Sequence, residues 1–224
     1  MLTRYTEMVQ MTTQIDQMMR LPSTDSVKSM PVSRAFTGAI AFDRVSFRYQ
    51  AATHTTVQGL SFAISPGELI AIEGHSGAGK STVLRLMLDL HRPQVGSVML
   101  DGINVRQIPS TELRAAMGYV PQNPTLFHGT IAQNLRLIAP DASDARLLRI
   151  CEELGLLPSI SQLKGGIDTL LDHAQQEQLP GGFRQALSIA QALLREPPIL
   201  LFDEPAKSAD HELEAAFLSA LDRR

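Results

Sequence analysis

Nine consecutive residues, Gly74-His75-Ser76-Gly77-Ala78-Gly79-Lys80-Ser81-Thr82, combine the groups that hold a phosphate chain. Glycines at 74, 77 and 79 let the backbone take positive φ and come close to phosphate oxygens, while successive N–H groups and the N-terminus of a following helix point inward. Lys80 supplies a full positive charge for the outer phosphates, and the Ser81 hydroxyl is a ligand for Mg2+. A glycine-rich turn with no guest needs the glycines but not the Lys-Ser pair behind them. The pattern therefore implies a bound triphosphate, on condition that a strand enters the loop and a helix leaves it. Leu69-Ile70-Ala71-Ile72 has the apolar run expected of that strand, and Thr82 to Met87 has helical spacing.

A second pair of candidates lies far along the chain. Pro198-Ile199-Leu200-Leu201-Phe202 is a continuous apolar run, as expected of a strand buried on both faces, and it ends in Asp203-Glu204. Two acids after an apolar run are by themselves a common solvated strand end. With a phosphate loop upstream, a carboxylate at the C-terminal end of a central parallel strand is where Mg2+ is held, which assigns Asp203 to the metal and Glu204 to the attacking water.

The elements that must carry these residues are partly legible. Leu2, Tyr5, Met8, Val9, Ile15, Met18 and Met19 recur at helical spacing over residues 1–22, and Leu21-Pro22 ends the pattern. Residues 22–37 are rich in Ser, Thr and Pro and form a linker. Strand signals occupy 39–42, 45–49 and 59–64, suggesting an antiparallel pair or meander; Pro66-Gly67 then turns the chain toward the phosphate loop. Further strands are expected at 96–102 and 119–120, and helices at 145–154 and 184–194. The fold class is thus α/β, with a RecA-like core, an antiparallel β part near its start and a helical part over about residues 123–194.

Composition sets limits. The 224 residues are 44% apolar and 19% charged, which suits a globular chain, and the net charge of −3 gives no electrostatic reason to expect nucleic acid. The one cysteine, Cys151, cannot pair within the chain and is expected to be a small buried apolar residue in a reducing compartment. No run approaches the ~18–20 apolar residues of a membrane span, and no secretory signal opens the chain.

Over about residues 36–224 the sequence resembles the nucleotide-binding domain of ATP-binding cassette (ABC) transporters. Four motifs follow the family's order. Val45-Ser46-Phe47-Arg48-Tyr49 resembles the loop whose aromatic, Tyr49, stacks on adenine. Tyr119-Val120-Pro121-Gln122 resembles the loop whose glutamine, Gln122, touches Mg2+ and the attacking water. Pro198 to Pro205 resembles the second Walker motif, and Leu179-Pro180-Gly181-Gly182-Phe183-Arg184-Gln185 stands where the family signature does. The resemblance implies an ATPase that uses ATP and Mg2+, with Glu204 as catalytic base helped by Gln122 and Lys80, and Ser81, Gln122 and Asp203 on the metal. It also implies a head-to-tail dimer in which Pro180, Gly181 and Gly182 face the nucleotide of the opposite domain.

Residues 122–131 with Asn134-Leu135 are similar to exporters, in which this stretch docks on a transmembrane domain, and residues 1–22 are similar to the connector before the ATPase domain in bacterial type I secretion exporters. The implied domains are a connector and linker, 1–35, and an ATPase domain, 36–224, at the cytoplasmic face of the inner (cell) membrane. The partners would be a transmembrane domain and a second nucleotide-binding domain, identical or different.

The departures are specific. Pro180 replaces the signature serine, removing a hydroxyl and an N–H, and Phe183 replaces a glutamine. The segment Asp172 to Gln178 and the interface loop Ala206-Lys207-Ser208-Ala209-Asp210 also differ from the family, and the chain ends at Arg224 before the family's switch histidine; His211 comes too early for that role. Exposed apolar edges are therefore expected. These departures leave a second reading, a subunit that binds ATP without turning it over. A phosphate-loop kinase or GTPase does not account for Gln122 and Gly181-Gly182.

Overall fold

Val45 and Phe47 alternate with polar neighbours, and that alternation forms β1 (Ile40–Phe47), an inner strand of a four-stranded antiparallel sheet. The computed structural model describes residues 35–172, 175–176, 179–205 and 211–222. The expected connector helix, most of the linker and the loop 206–210 lie outside the described residues.

The two strand signals at 39–42 and 45–49 are one strand, interrupted at Arg44, where φ is +47° and the register shifts. Tyr49 lies just past its end. On one side β1 pairs with β2 (Val57–Ile64), with Phe42 and Phe62 opposite each other and stacked at 4.6 Å. On the other it pairs with β3 (Val95–Leu100), which continues through a tight turn into β4 (Ile103–Asn104). Gly96 must be glycine: φ is +79°, and a Cβ would sit 2.2 Å from Asp43 O.

A helix, α1 (Lys80–Met87), leaves the phosphate loop, and α2 (Ser110–Ala116) leads into β5 (Met117–Val120). The helical part follows. It contains a short antiparallel ladder, β6 (Gly129–Thr130) with β7 (Leu170–Leu171), which periodicity did not suggest. Between them run α3 (Ile131–Arg136), α4 (Asp144–Glu153) and α5 (Leu157–Ser161), and α6 (Gly181–Leu194) closes this part. Thr130 and Gln133 cap α3 reciprocally, each side chain accepting from the other's backbone N–H. The chain then enters β8 (Ile199–Phe202) and finishes in α7 (His211–Asp222).

β8 runs parallel to β5, with Tyr119 opposite Leu201 and Val120 opposite Phe202. Its side chains alternate between two cores. Ile199 and Leu201 pack with α1 and the antiparallel sheet, whereas Leu200 and Phe202 pack toward α6 and α7, Phe202 meeting Phe217 edge-on at 4.8 Å. The expected burial on both faces is therefore incomplete: Leu200 and Phe202 are only half-buried.

The expected strand at Leu69–Ile72 is a correction. The segment has no ladder partner among the described residues, and Leu69, Ile70 and Ile72 are exposed, Leu69 by 79%. A cleft of about 1090 Å³ lies between it and β8, whose free edge faces the same space. β8 is thus not a central strand among the described residues, because it pairs with β5 alone. The run is apolar, but a strand also needs a neighbour for its N–H and C=O groups.

The start of the described chain is tied down by one carboxylate. Asp101, in the β3–β4 turn with φ +50°, accepts from Thr37 N, Thr37 Oγ1, Gly38 N and Ala39 N at 2.6–3.2 Å. Burial alone would raise its pKa, but the hydrogen bonds from Thr37, Ala39 and Gly38 outweigh it and hold the carboxyl below its usual value. A depressed carboxylate stabilises the fold above its ordinary pKa of 3.8 and loses that contribution as pH falls toward the lower folded value. Asp101→Asn should therefore destabilise by about 1 kcal/mol near neutral pH, given the partial exposure of the site. Denaturant melts of both proteins should converge below pH 3.8; a gap independent of pH would refute the assignment.

Cys151 is fully buried in the helical core, and burial pushes its thiol up to about 11. An uncharged, covered thiol is unreactive. A thiol reagent at neutral pH should label it at the rate of unfolding; rapid labelling of the folded chain would contradict this burial.

Candidate nucleotide site

The phosphate loop crosses the surface with residues 74–78 exposed, then turns into α1 through Gly79, whose φ of +94° is left-handed. A Cβ at 79 would lie 2.9 Å from Thr56 O, so glycine is required there for space as well as for torsion. No side chain caps α1, which leaves its first N–H groups directed at the loop. His75 O accepts from Ala78 N, making a turn of His75-Ser76-Gly77-Ala78. Lys80 Nζ donates to Gly74 O at 2.8 Å and His75 O at 3.1 Å, so its ammonium sits inside the loop's curve.

Ser81 and Asp203, 122 residues apart, meet: Ser81 Oγ donates to Asp203 Oδ1 at 2.7 Å. Asp203 is buried, and its backbone N–H prolongs the β5–β8 pairing by donating to Val120 O at 2.9 Å. Its other carboxylate oxygen accepts from Tyr119 Oη at 3.3 Å. Burial and the Asp203 charge raise the Tyr119 pKa against the opposing effect of Arg85, so Tyr119 stays a neutral donor. Gln122, two residues beyond β5, donates from Nε2 to Glu204 Oε2. Glu204 is exposed, with φ +51°.

Tyr49 stands against the same helix. Its hydroxyl is 3.2 Å from Thr82 Oγ1, and its ring meets Phe47 edge-on at 4.9 Å and His91 edge-on at 5.0 Å. Phe47 and His91 stack at 5.3 Å. Burial and the charge of Arg85 lower the His91 pKa, which favours a neutral imidazole in this aromatic group.

Pro180, Gly181 and Gly182 stand at the start of α6, with Pro180 at the N-cap position, where no side chain accepts a hydrogen bond. Among the described residues no hydrogen bond joins them to the phosphate loop. Phe183 is buried in the helical core, so the residue in the glutamine's place serves packing. Buried Gln185 reaches from α6 to Pro121 O at 3.4 Å and links this helix to the segment carrying Gln122.

The structure thus brings together the phosphate loop, Tyr49, Gln122, Asp203 and Glu204, and holds the signature residues on a separate helix. Sequence reading missed Arg85, His91 and the side-chain role of Tyr119. Arg85 at four residues after Ser81 was a weak signal, since that spacing puts both on one face of α1.

The oxygens of Ser81 and Asp203 are hard donors, the kind Mg2+ takes, and the described residues contain no cluster of three or more His, Cys, Asp or Glu that would bind a metal without a phosphate. A site that completes its metal shell with phosphate oxygens and water fits these two residues.

The ABC transporter family profile matches residues 57–207, more than half of the chain. A mycobactin import ATP-binding/permease protein, IrtB, of Mycobacterium tuberculosis (strain ATCC 25618 / H37Rv) is 40% identical over 182 residues, covering 81% of this chain and 31% of the relative. The human mitochondrial iron-sulfur clusters transporter ABCB7 is 37% identical over 185 residues, 83% of this chain and 24% of the relative. A solved structure described as a bacterial Atm1-family ABC exporter with ATP bound superposes with a TM-score of 0.86 at 32% identity, covering 96% of this chain and 37% of that one. The chain thus spans about a quarter to two fifths of the length of these relatives. Among the described residues no helix is long and apolar enough to cross a membrane. The chain belongs to the ABC transporter family, as a nucleotide-binding ATPase domain of the kind found in its exporters.

Proposed function

We propose that this domain binds MgATP, hydrolyses it when paired head to tail with a second nucleotide-binding domain, and so drives transport by a membrane domain at the cytoplasmic face of the inner membrane. The observation that carries this reading is the 2.7 Å hydrogen bond between Ser81 and Asp203, because it joins the phosphate loop to the strand end bearing Glu204. Bound Mg2+ would neutralise charge developing on the transferred phosphoryl group and would be held by Ser81, Asp203 and Gln122. Tyr49 offers its ring to the base. The N–H groups of residues 74–82, with Lys80, hold the phosphates. Glu204, carried beside Gln122, orients the water and accepts its proton.

The exporter setting has support in the surface that precedes α3. Phe127 is 64% exposed, while its backbone is clamped by buried Asn134, which accepts from Phe127 N at 2.7 Å and donates to Phe127 O and Thr130 O. A rigid loop presenting a bare aromatic ring suits docking on a membrane domain. Residues 1–35 would be the connector to that domain. The names of these relatives refer to mycobactin and to iron-sulfur clusters, cargoes of unlike chemistry, which suits a domain that powers transport and leaves selection to the membrane part.

Binding without turnover is the second reading, and the ATPase relatives do not favour it. Its support is local: Pro180 leaves the signature helix without an N-cap acceptor. Any loss would fall on the nucleotide held by the opposite domain, since the Walker side here is complete.

Two measurements follow. Glu204→Gln in the full chain should lower MgATP turnover by about 10²-fold or more with affinity retained, as expected for a general base; equal rates in both proteins would sink the hydrolytic reading. Pro180→Ser should stabilise the domain by about 1 kcal/mol through the restored cap. It should also raise turnover per chain at high protein concentration, and no change in rate would show that residue 180 does not limit the dimer.

A further inference from the structure

The two oxygens of Asp203 are held from different elements, and one hold comes from outside the phosphate loop. Ser81, on α1, donates to Oδ1, and Tyr119, on β5, donates to Oδ2. The second contact exists because β5 and β8 are parallel with Tyr119 opposite Leu201, which sets the phenol beside the strand end carrying Asp203. One turn along α1 from Ser81, the Arg85 guanidinium stands close enough to Tyr49 and Tyr119 to interact electrostatically with both. Tyr49 in turn lies within hydrogen-bond distance of Thr82. Tyr49, Arg85, Tyr119, Asp203 and Ser81 thus form one polar group beside α1.

We propose that Tyr119 and Arg85 are positioning residues. Tyr119 fixes the metal-side carboxylate, and Arg85 ties that carboxylate to the tyrosine that receives the base, so that base occupancy and metal capture strengthen each other.

This proposal rests on the nucleotide reading above. The physical reason is preorganisation. A carboxylate with both oxygens already directed loses little rotamer freedom when it meets a cation or a metal-bound water. A guanidinium suits the link because its planar fork of donors can serve two hydroxyl oxygens at once, which a single ammonium does not reproduce in the same plane. When a base settles on Tyr49 and restricts its ring, Arg85 and then Tyr119 are restricted with it. Metal binding to the already ordered carboxylate then costs less, which is positive coupling without a change of fold.

The test uses the full chain, with Mn2+ as the probe metal, read by electron paramagnetic resonance, and nucleotide affinity measured with and without metal. Tyr119→Phe keeps the ring and removes only the donor. It should weaken Mn2+ binding to the ATP complex about fivefold to tenfold, the net effect expected of one typical hydrogen bond, with metal-free ATP affinity unchanged. For the link, the factor by which Mn2+ tightens ATP is compared with the factor by which it tightens inorganic triphosphate, which has no base. The first should exceed the second about fivefold in the natural chain, and the two should be equal in Arg85→Lys.

An unaltered Mn2+ titration in Tyr119→Phe overturns the positioning role. Equal losses with and without metal overturn it too, because they mark a packing defect. Equal factors for ATP and triphosphate in the natural chain overturn the coupling. If the natural chain binds no nucleotide, the underlying reading fails with the proposal, and that outcome is distinct from the other three.

Discussion

A carboxylate buried to 3% exposure at the end of a parallel strand pair is costly unless its oxygens are hydrogen-bonded, and Asp203 meets that condition through Ser81 and Tyr119. The rest of the site follows from satisfying it. Ser81 can reach only if α1 starts at residue 80, which requires Gly79 to turn the loop with positive φ. Tyr119 can reach only if β5 pairs with β8 in the observed register. That same pairing carries Gln122 and Glu204 past the strand ends on one edge, where they meet. A one-residue slip would turn Tyr119 to the other face of the sheet and leave the carboxylate half-satisfied.

β8 is also where the two apolar cores touch. The alternation of Ile199 and Leu201 against Leu200 and Phe202 divides one short strand between a core containing α1 and a core containing α6. Helix α1, which leaves the phosphate loop, packs in the first core, and α6, which begins at Gly181, packs in the second. Gln185, bonded to Pro121 O, is a direct tether from α6 to the chain just before Gln122. Movement of the signature helix would therefore pull first on the residue that contacts Glu204.

Local chemistry was legible in the sequence, and long-range pairing was not. The phosphate loop, the turn at Pro66-Gly67, the helices at 145–154 and 184–194 and the acids after the apolar run all declare themselves through spacing within a few residues. Leu69–Ile72 shows the limit: its composition is that of a strand, but whether it becomes one depends on a neighbour that composition does not reveal, and here its side chains are exposed. Tyr119 is a second case. Within its own motif it is one more strand residue, and its link to Asp203 spans 84 positions, set by the register of a parallel pair. His91, 42 residues from Tyr49 in the sequence, is hidden for the same reason.

Glu204 sits at φ +51°, a left-handed conformation that costs a residue with a Cβ about 1–2 kcal/mol. Such strain persists only where the surroundings hold it. On one side Asp203 is fixed by its backbone bond to Val120 O and by both carboxylate contacts, so the chain cannot relax by withdrawing the strand end. On the other, Gln122 contacts the Glu204 carboxylate, and Gln122 is itself placed by β5. Had the chain continued from Asp203 in extended geometry, alternation would have set residue 204 on the face opposite Asp203, with Phe202 and the helical core. The left-handed turn instead directs the acid to the edge where the phosphate loop opens. The strain at Glu204 is thus the local cost of putting two carboxylates on adjacent residues while burying the first and exposing the second.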